Sequence, residues 1–384
     1  MINNKKVYNI ITSLVVSMLP IGYILKGGIQ GNLLTDKTLY IYYIAFIIAI
    51  ITLLIYGKIK LNGFDIMFLL FTIVIVIGVF YTPDIYSGLY KILKFILLSI
   101  SIIYITRILI KEQVQIIYIY NFYNIFSVIT SVYFIIYYYI TNKIGRASFL
   151  DTTSVAFGYF LGFDFIILLH MLLQKRKGFV KYWYAISLFF ISYALLLNAT
   201  KGVFISILIA LILFIPKYKV KYKTLLLFSV IFFIISMYFL FQNLDVLVKI
   251  PIFQRFMYIT RDLSTLERIN LYKYALNEFI RHPVLGIGTN GLITYPHNIF
   301  LEIGAENGII GLLLFLLLVF YVIKLIKKYN YNNKLIKQLM IYSLIGNMFS
   351  FSYVINKYLY FSLGLFFADL YLKNKIPEKF HTGK

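Results

Sequence analysis

Apolar residues in this chain fall into runs of about 15 to 25 positions separated by short Lys-rich stretches, and about 20 apolar residues cross the roughly 30 Å hydrocarbon layer of a bilayer. The pattern predicts an all-α polytopic membrane protein with twelve spans, over 7–25, 38–56, 64–80, 92–110, 114–140, 153–173, 182–199, 200–216, 224–241, 297–323, 338–355 and 358–372. A transmembrane barrel needs segments of about 10 residues with alternating polarity; the sequence has none. Ten of the eleven connections are short, whereas residues 242–296 form one long connection between the ninth and tenth spans. The chain therefore reads as a single integral membrane domain over 1–384, with 242–296 as a loop within it.

Composition agrees: 61% of the 384 residues are hydrophobic, 13% are charged and the mean hydropathy is +0.86, which excludes a soluble domain. The net charge of +23 raises nucleic acid as a partner until the charges are located. With the N-terminus inside, 23 of the 37 basic residues fall in cytoplasmic segments, against only Asp65, Glu112 and Glu378 among the acidic ones. Lys and Arg collect on the cytoplasmic side of short loops, so the basicity reports topology, with both termini cytoplasmic, and nucleic acid is set aside. With no cysteine in the chain, disulfides, thiolate nucleophiles and Cys metal sites are excluded. The first apolar run lacks a small-residue cleavage site and reads as a retained span. Tyr is used 36 times, so no single aromatic marks a binding platform.

The long connection, placed outside by the charge rule, holds a helical pattern from Leu263 to His282. Ser264 and Glu267 have capping-box spacing, and Leu266, Ile269, Tyr272, Leu276 and Phe279 recur as an apolar face. Pro283 stops the helix and Gly286 and Gly288 permit a tight turn. This amphipathic helix is either a lid or platform over a site between the spans, or an interfacial helix that caps the bundle.

The tenth span opens with Tyr295-Pro-His-Asn and carries Glu302 and Glu306, about 7 Å and 13 Å deep at 1.5 Å per residue. Carboxylates at that depth face a cavity or a partner; the alternative to a substrate-facing role is pairing with Lys201 or an arginine. Lys201, at the outer end of the eighth span, either snorkels to headgroups or points into a wet cavity, and Arg146 before the sixth span has the same choice. Asp164 and Asp369, isolated within spans, read as buried hydrogen-bonded residues, although a proton-coupled transporter uses such groups. Acidic residues show no Asp-x-Asp pair and the four His are scattered, so no metal site and no cofactor are expected.

Three stretches resemble the Wzy-type O-antigen and capsular polysaccharide polymerases and their relatives, the O-antigen ligases. The first runs from Ser264 to Gly311: Arg268 and Tyr272 on a helix, the His282-Pro-x-x-Gly-x-Gly288 turn, His297-Asn298-x-x-Leu301, then Glu306-x-Gly308. The second is Thr200-Lys201-Gly202, where many members have Ser-Arg-Gly; the third is Arg146 to Asp151. Tyr272 stands for the common Trp, Lys201 for Arg, and Thr153-Ser154 for Pro-Asn. The resemblance implies a GT-C-like membrane glycosyltransferase acting on undecaprenyl-diphosphate-linked oligosaccharides at the outer face of the bacterial inner (plasma) membrane, among membrane lipid and beside a flippase and a chain-length regulator. It implies His297 and Arg268 as catalytic residues, and Lys201, Arg146, Asn298, Glu306 and Tyr272 as substrate-binding residues, to which the loop cations Arg255 and Arg261 and the membrane-depth carboxylate Glu302 add further substrate-binding candidates. Arginine and lysine would meet charge on the diphosphate, and His297 would orient or deprotonate an acceptor hydroxyl, its plain alternative being a helix cap bonded to a loop carbonyl. Polymerase is the expected activity; a ligase of the same class and a lipid-linked oligosaccharide flippase are the alternatives.

Overall fold

A computed structural model describes residues 2–25, 37–57, 61–141, 149, 152–174, 178–213, 252 and 263–373. These form α1 (Ile2–Ile21), α2 (Lys37–Tyr56), α3 (Gly63–Ile77), α4 (Ile85–Phe95), α5 (Ser101–Leu109), α6 (Gln113–Ile140), α7 (Ser154–Leu173), α8 (Phe179–Asn198), α9 (Lys201–Ile212), α10 (Leu263–Arg281), α11 (Ile299–Lys328), α12 (Lys334–Asn347) and α13 (Lys357–Leu372). Among the described residues, seven helical stretches are long and apolar enough to cross a membrane, and α1, α9, α12 and α13 add shorter or more polar helices. The protein is an all-α polytopic integral membrane protein. The expected ninth span, 224–241, lies outside the described residues, as do Arg146, Arg255, Arg261, Asp151 and, apart from Ile252, the loop before Leu263.

Helix starts follow short polar side chains that satisfy orphan backbone donors. Asn62 accepts from Phe64 N at 2.7 Å while Asp65 accepts from Asn62 N at 2.6 Å, a capping box for α3. The side chains of Asp84, Asn298, Asn333 and Asn356 each accept from first-turn backbone N–H groups of α4, α11, α12 and α13, without the reciprocal bond of a capping box. The core is aromatic-rich: Phe71, Phe95, Tyr353 and Tyr360 from four segments meet with ring centroids 5.9 to 6.4 Å apart. Helix α11 packs on α3 and α10, and α12 packs on α7, α9 and α13.

Four features differ from the expected ones, each for a local reason. The fourth span begins at Ile85, where Asp84 caps it, and continues through a π-helical turn at 96–100 to Leu109, so Lys91 lies within a span and not in a loop. The eleventh ends at Asn347; residues 348–356 are an irregular, largely buried link between α12 and α13. Helix α10 starts at Leu263, which puts Ser264 inside its first turn and not at its cap. Its expected apolar face is split: Tyr272 and Phe279 turn toward the bundle with Arg268 and Ala275, whereas Leu266, Ile269 and Leu276 are exposed.

The fourth departure is in α11, which is broken at Gly308 (φ 62°, ψ −162°). The turn after α10 plugs the break: Ile287 N donates to Ala305 O at 2.9 Å, Gly288 N to Glu306 O at 3.0 Å and Ile309 N to Pro283 O at 2.8 Å. Backbone groups freed inside a membrane protein must find such partners. A Cβ at Gly308 would stand 2.1 Å from Val284 O, and one at Gly286 (φ 75°) 2.4 Å from Glu306 C, so both positions require the left-handed conformation and the space that glycine leaves. The His282-Pro-x-x-Gly-x-Gly288 turn and the Glu306-x-Gly308 pair are two halves of one joint.

Candidate active site

The irregular link 348–356 is the hub on which the candidate residues converge. Tyr272, from α10, donates its hydroxyl to Met348 O at 3.2 Å. His297, held at φ 57° just before α11, places Nδ1 3.1 Å from Ser350 O. A carbonyl oxygen only accepts, so Nδ1 carries the proton and Nε2 is left with its lone pair. Capping of α11 falls instead to Asn298, whose Oδ1 accepts from Phe300 N at 3.0 Å and Leu301 N at 3.2 Å. The two plain roles open to His297 are thereby divided: the neighbour caps, and the imidazole bonds the carbonyl with one nitrogen only.

Lys201 opens α9 after a tight turn in which Asn198 Nδ2 donates to Ser154 O at 2.8 Å and Thr200 Oγ1 to Asn198 Oδ1 at 2.6 Å. Its Nζ donates to Thr265 Oγ1 of α10 at 2.8 Å, so it faces the helix over the bundle and does not extend away to the headgroups. Gly202 beside it lets the link approach: an added Cβ would meet Tyr159 Oη at 2.9 Å and Ser350 Oγ at 3.3 Å. Arg268 exerts its field on His297, Tyr272 and Tyr159. Burial lowers the His297 pKa below its ordinary value; the Ser350 contact opposes that shift and Arg268 adds to it. Burial raises the Tyr272 pKa, with Arg268 opposing, which keeps that hydroxyl a donor. Four residues named from sequence, Lys201, Arg268, Tyr272 and His297, thus surround one region at the meeting of α9, α10 and the link.

Residues 186–316 match the family model described as O-antigen ligase. The match bears out the resemblance to the O-antigen ligase-like superfamily. It covers about a third of the chain and takes in Lys201, Arg268, Tyr272, His297, Asn298, Glu302 and Glu306, whereas the Arg146 to Asp151 stretch falls outside it. No curated protein matches the chain. Membrane-spanning helices and the match to the O-antigen ligase model together support an integral membrane protein of polysaccharide biosynthesis.

Within the matched segment, Glu302 and Glu306 have a partner that sequence reasoning missed. Lys91 Nζ, from α4, lies 2.7 Å from Glu302 Oε1 and 2.7 Å from Glu306 Oε1, with the three residues 7%, 0% and 1% exposed. The pairing expected with Lys201 or an arginine is therefore made by Lys91. Ser352 Oγ donates to Glu302 Oε1 at 2.6 Å, Tyr353 N to Glu302 Oε2 at 3.1 Å, and Tyr353 Oη to Glu306 Oε2 at 3.0 Å. Two buried carboxylates thus share one ammonium and a set of neutral donors that includes the Asn290 backbone, locking α4, α11 and the link together. The missed signal was Asp84, a helix cap seven residues before Lys91, which moves the start of the span outward.

Other candidates have structural places. Asp164 accepts from Asn124 Nδ2 at 3.0 Å, and Asn124 accepts from Trp183 Nε1 at 2.8 Å. Asp369 accepts from Gln113, Tyr331 and Asn333 and pairs with Lys373 at 2.8 Å. Both are buried hydrogen-bonded residues, as their isolation in spans predicts. Arg281 pairs with Glu278 at 3.3 Å on the exposed face of α10.

Proposed function

We propose that this chain polymerises undecaprenyl-diphosphate-linked oligosaccharide repeat units into O-antigen, capsular or exopolysaccharide at the outer face of the bacterial inner (plasma) membrane. In this reading both termini are cytoplasmic, residues 242–296 form an external loop of a single membrane domain, a flippase supplies the units and a chain-length regulator acts on the product. The observation that carries it is the His297 arrangement: Nδ1 committed to Ser350 O, Nε2 open as a base, and Arg268 close enough to act on the ring.

In the reaction, an acceptor hydroxyl attacks the anomeric carbon of the donor glycan as its proton passes to His297 Nε2. The bond from that carbon to the diphosphate oxygen breaks, and undecaprenyl diphosphate leaves with the electron pair. Arg268 and Lys201 meet the charge developing on the diphosphate, so transfer proceeds without a metal; Lys201 does so as a point charge where arginine would bind with two parallel bonds. Tyr272 and Asn298 shape the wall, and Arg146, Arg255 and Arg261 remain candidates for a second diphosphate.

The description of the matching family favours a second reading, ligase-type transfer to another acceptor. Purified protein with one synthetic lipid-linked repeat unit, no added metal and no other acceptor separates them. A ladder of lipid-linked oligomers is the expected result; elongation that waits for a separate core acceptor assigns the ligase. Asp164 held by Asn124 supports a structural role for it and weighs against a transporter.

A further inference from the structure

A cleft of about 380 Å³ opens between α4, the 290–295 segment and the link, with the Lys91, Glu302 and Glu306 cluster on its wall. Tyr90, Lys94, Asn290, Thr294, Tyr295 and Ser352 supply much of the remaining lining. It adjoins the proposed base through Tyr295, whose ring centroid lies 4.3 Å from that of His297. We propose that this cleft binds the sugar residues of the acceptor glycan and presents their hydroxyl to His297. The proposal rests on the glycosyl-transfer reading and adds the substrate part and the residues that select it.

Three features point to a saccharide. Its lining mixes donors and acceptors with two tyrosine rings, which suits a polyhydroxyl ligand with an apolar ring face, and its volume is in the range of small-ligand pockets, roughly 300 to 1,000 Å³. Two lysines and two glutamates line it, so formal charge cancels; a diphosphate would meet two carboxylates here, whereas Arg268 and Lys201 offer it cations outside the cleft lining. A lipid tail is better served by the groove of about 360 Å³ between α3, α11, α12 and α13, lined by Phe64, Phe68, Phe71, Phe315 and other apolar residues.

Because the chain contains no cysteine, Thr294→Cys, at an exposed position on the cleft wall, gives a single reporter thiol, and Asn332→Cys a control at a distant exposed site. The rate of modification by a hydrophilic thiol reagent is followed in nanodiscs. Probes are the oligosaccharide released by mild acid from lipid-linked units of cells lacking the protein, and undecaprenyl diphosphate carrying no sugar. The oligosaccharide at ten times its Kd should slow Thr294→Cys labelling by roughly tenfold, following 1 + [L]/Kd, and leave Asn332→Cys unchanged. Adding Asn290→Ala or Tyr90→Ala should weaken the protection, and His297→Ala should retain it. Protection by undecaprenyl diphosphate alone, or none by the oligosaccharide up to its solubility limit, overturns the proposal. Protection in a protein that makes no polymer or ligated product would instead remove the transfer reading and leave the cleft as a glycan site.

Discussion

His297 donates from Nδ1 to Ser350 O and lies in the field of Arg268, so its titration follows from burial and one charged neighbour. Its neutral form is the active one, and burial holds the pKa below the ordinary value of about 6.5. Activity should therefore persist as pH falls through 6.5 and be lost only below it. A kcat/KM profile of wild type should show that acidic limb, His297→Ala should lack it and lose roughly 100- to 10,000-fold in rate, and the residual activity of Arg268→Gln should have its limb moved to higher pH. A limb that ignores Arg268→Gln would separate the two residues. Lys91 poses a stability question at the same scale. Its removal leaves two buried carboxylates without their cation, so Lys91→Met should destabilise by about 3 to 5 kcal/mol, the usual cost of breaking a buried pair from one side. Combining it with Glu302→Gln and Glu306→Gln should recover most of the loss in a thermal unfolding assay; failure to recover would mean that the lysine acts through packing alone.

Within α11 the decisive element is the break, which lets the turn from His282 to Thr289 bond the helix's own carbonyls. Gly308→Ala must adopt a positive φ and push against Val284 O, and should lower the unfolding temperature and expose the turn to protease. Gly304, one helical turn earlier, is the control: a Cβ there meets Phe279 Cδ2 at an ordinary 3.5 Å, so Gly304→Ala should be neutral or stabilising by up to about 1 kcal/mol from helix propensity. Equal sensitivity at the two positions would show that helix packing, and not the joint, limits the fold. The link 348–356 has a parallel role, since its irregular backbone provides the carbonyls and amide that hold Tyr272, His297 and Glu302.

For the whole molecule the first issue is sidedness. The placement of basic residues predicts that single cysteines at Ser264 and Thr294 react with an impermeant reagent from outside and that one at Asn332 does not; labelling of Asn332 in intact cells would invert the topology. The second is the class of activity. Asp164→Asn breaks a buried network that includes Asn124 and Trp183, and should cost stability with a milder effect on polymer than His297→Ala or Arg268→Ala, either of which should leave lipid-linked single units accessible outside. Units trapped inside by the Asp164 change alone would favour transport.

Long apolar runs were legible because a bilayer demands them whatever the neighbours, and the break signals at Pro283 and Gly286 were legible because few residues tolerate such backbones, whereas the break at Gly308 lay hidden in a run that read as one continuous span. His297, Arg268, Tyr272 and Lys201 could be named together from spacing and resemblance, but that they surround one region was decided by the link 348–356, which read as the end of a plain span. An apolar stretch looks the same to a sequence whether it continues as helix or turns while buried, since both satisfy burial and only neighbouring side chains reveal where the backbone bonds go. The partner of Glu302 and Glu306 was hidden for a related reason: Lys91 is more than 200 residues away in the chain. Pairing at that separation is a product of tertiary packing, which also splits the apolar face of α10 by turning Arg268 and Tyr272 toward the site and leaving Leu266, Ile269 and Leu276 outside.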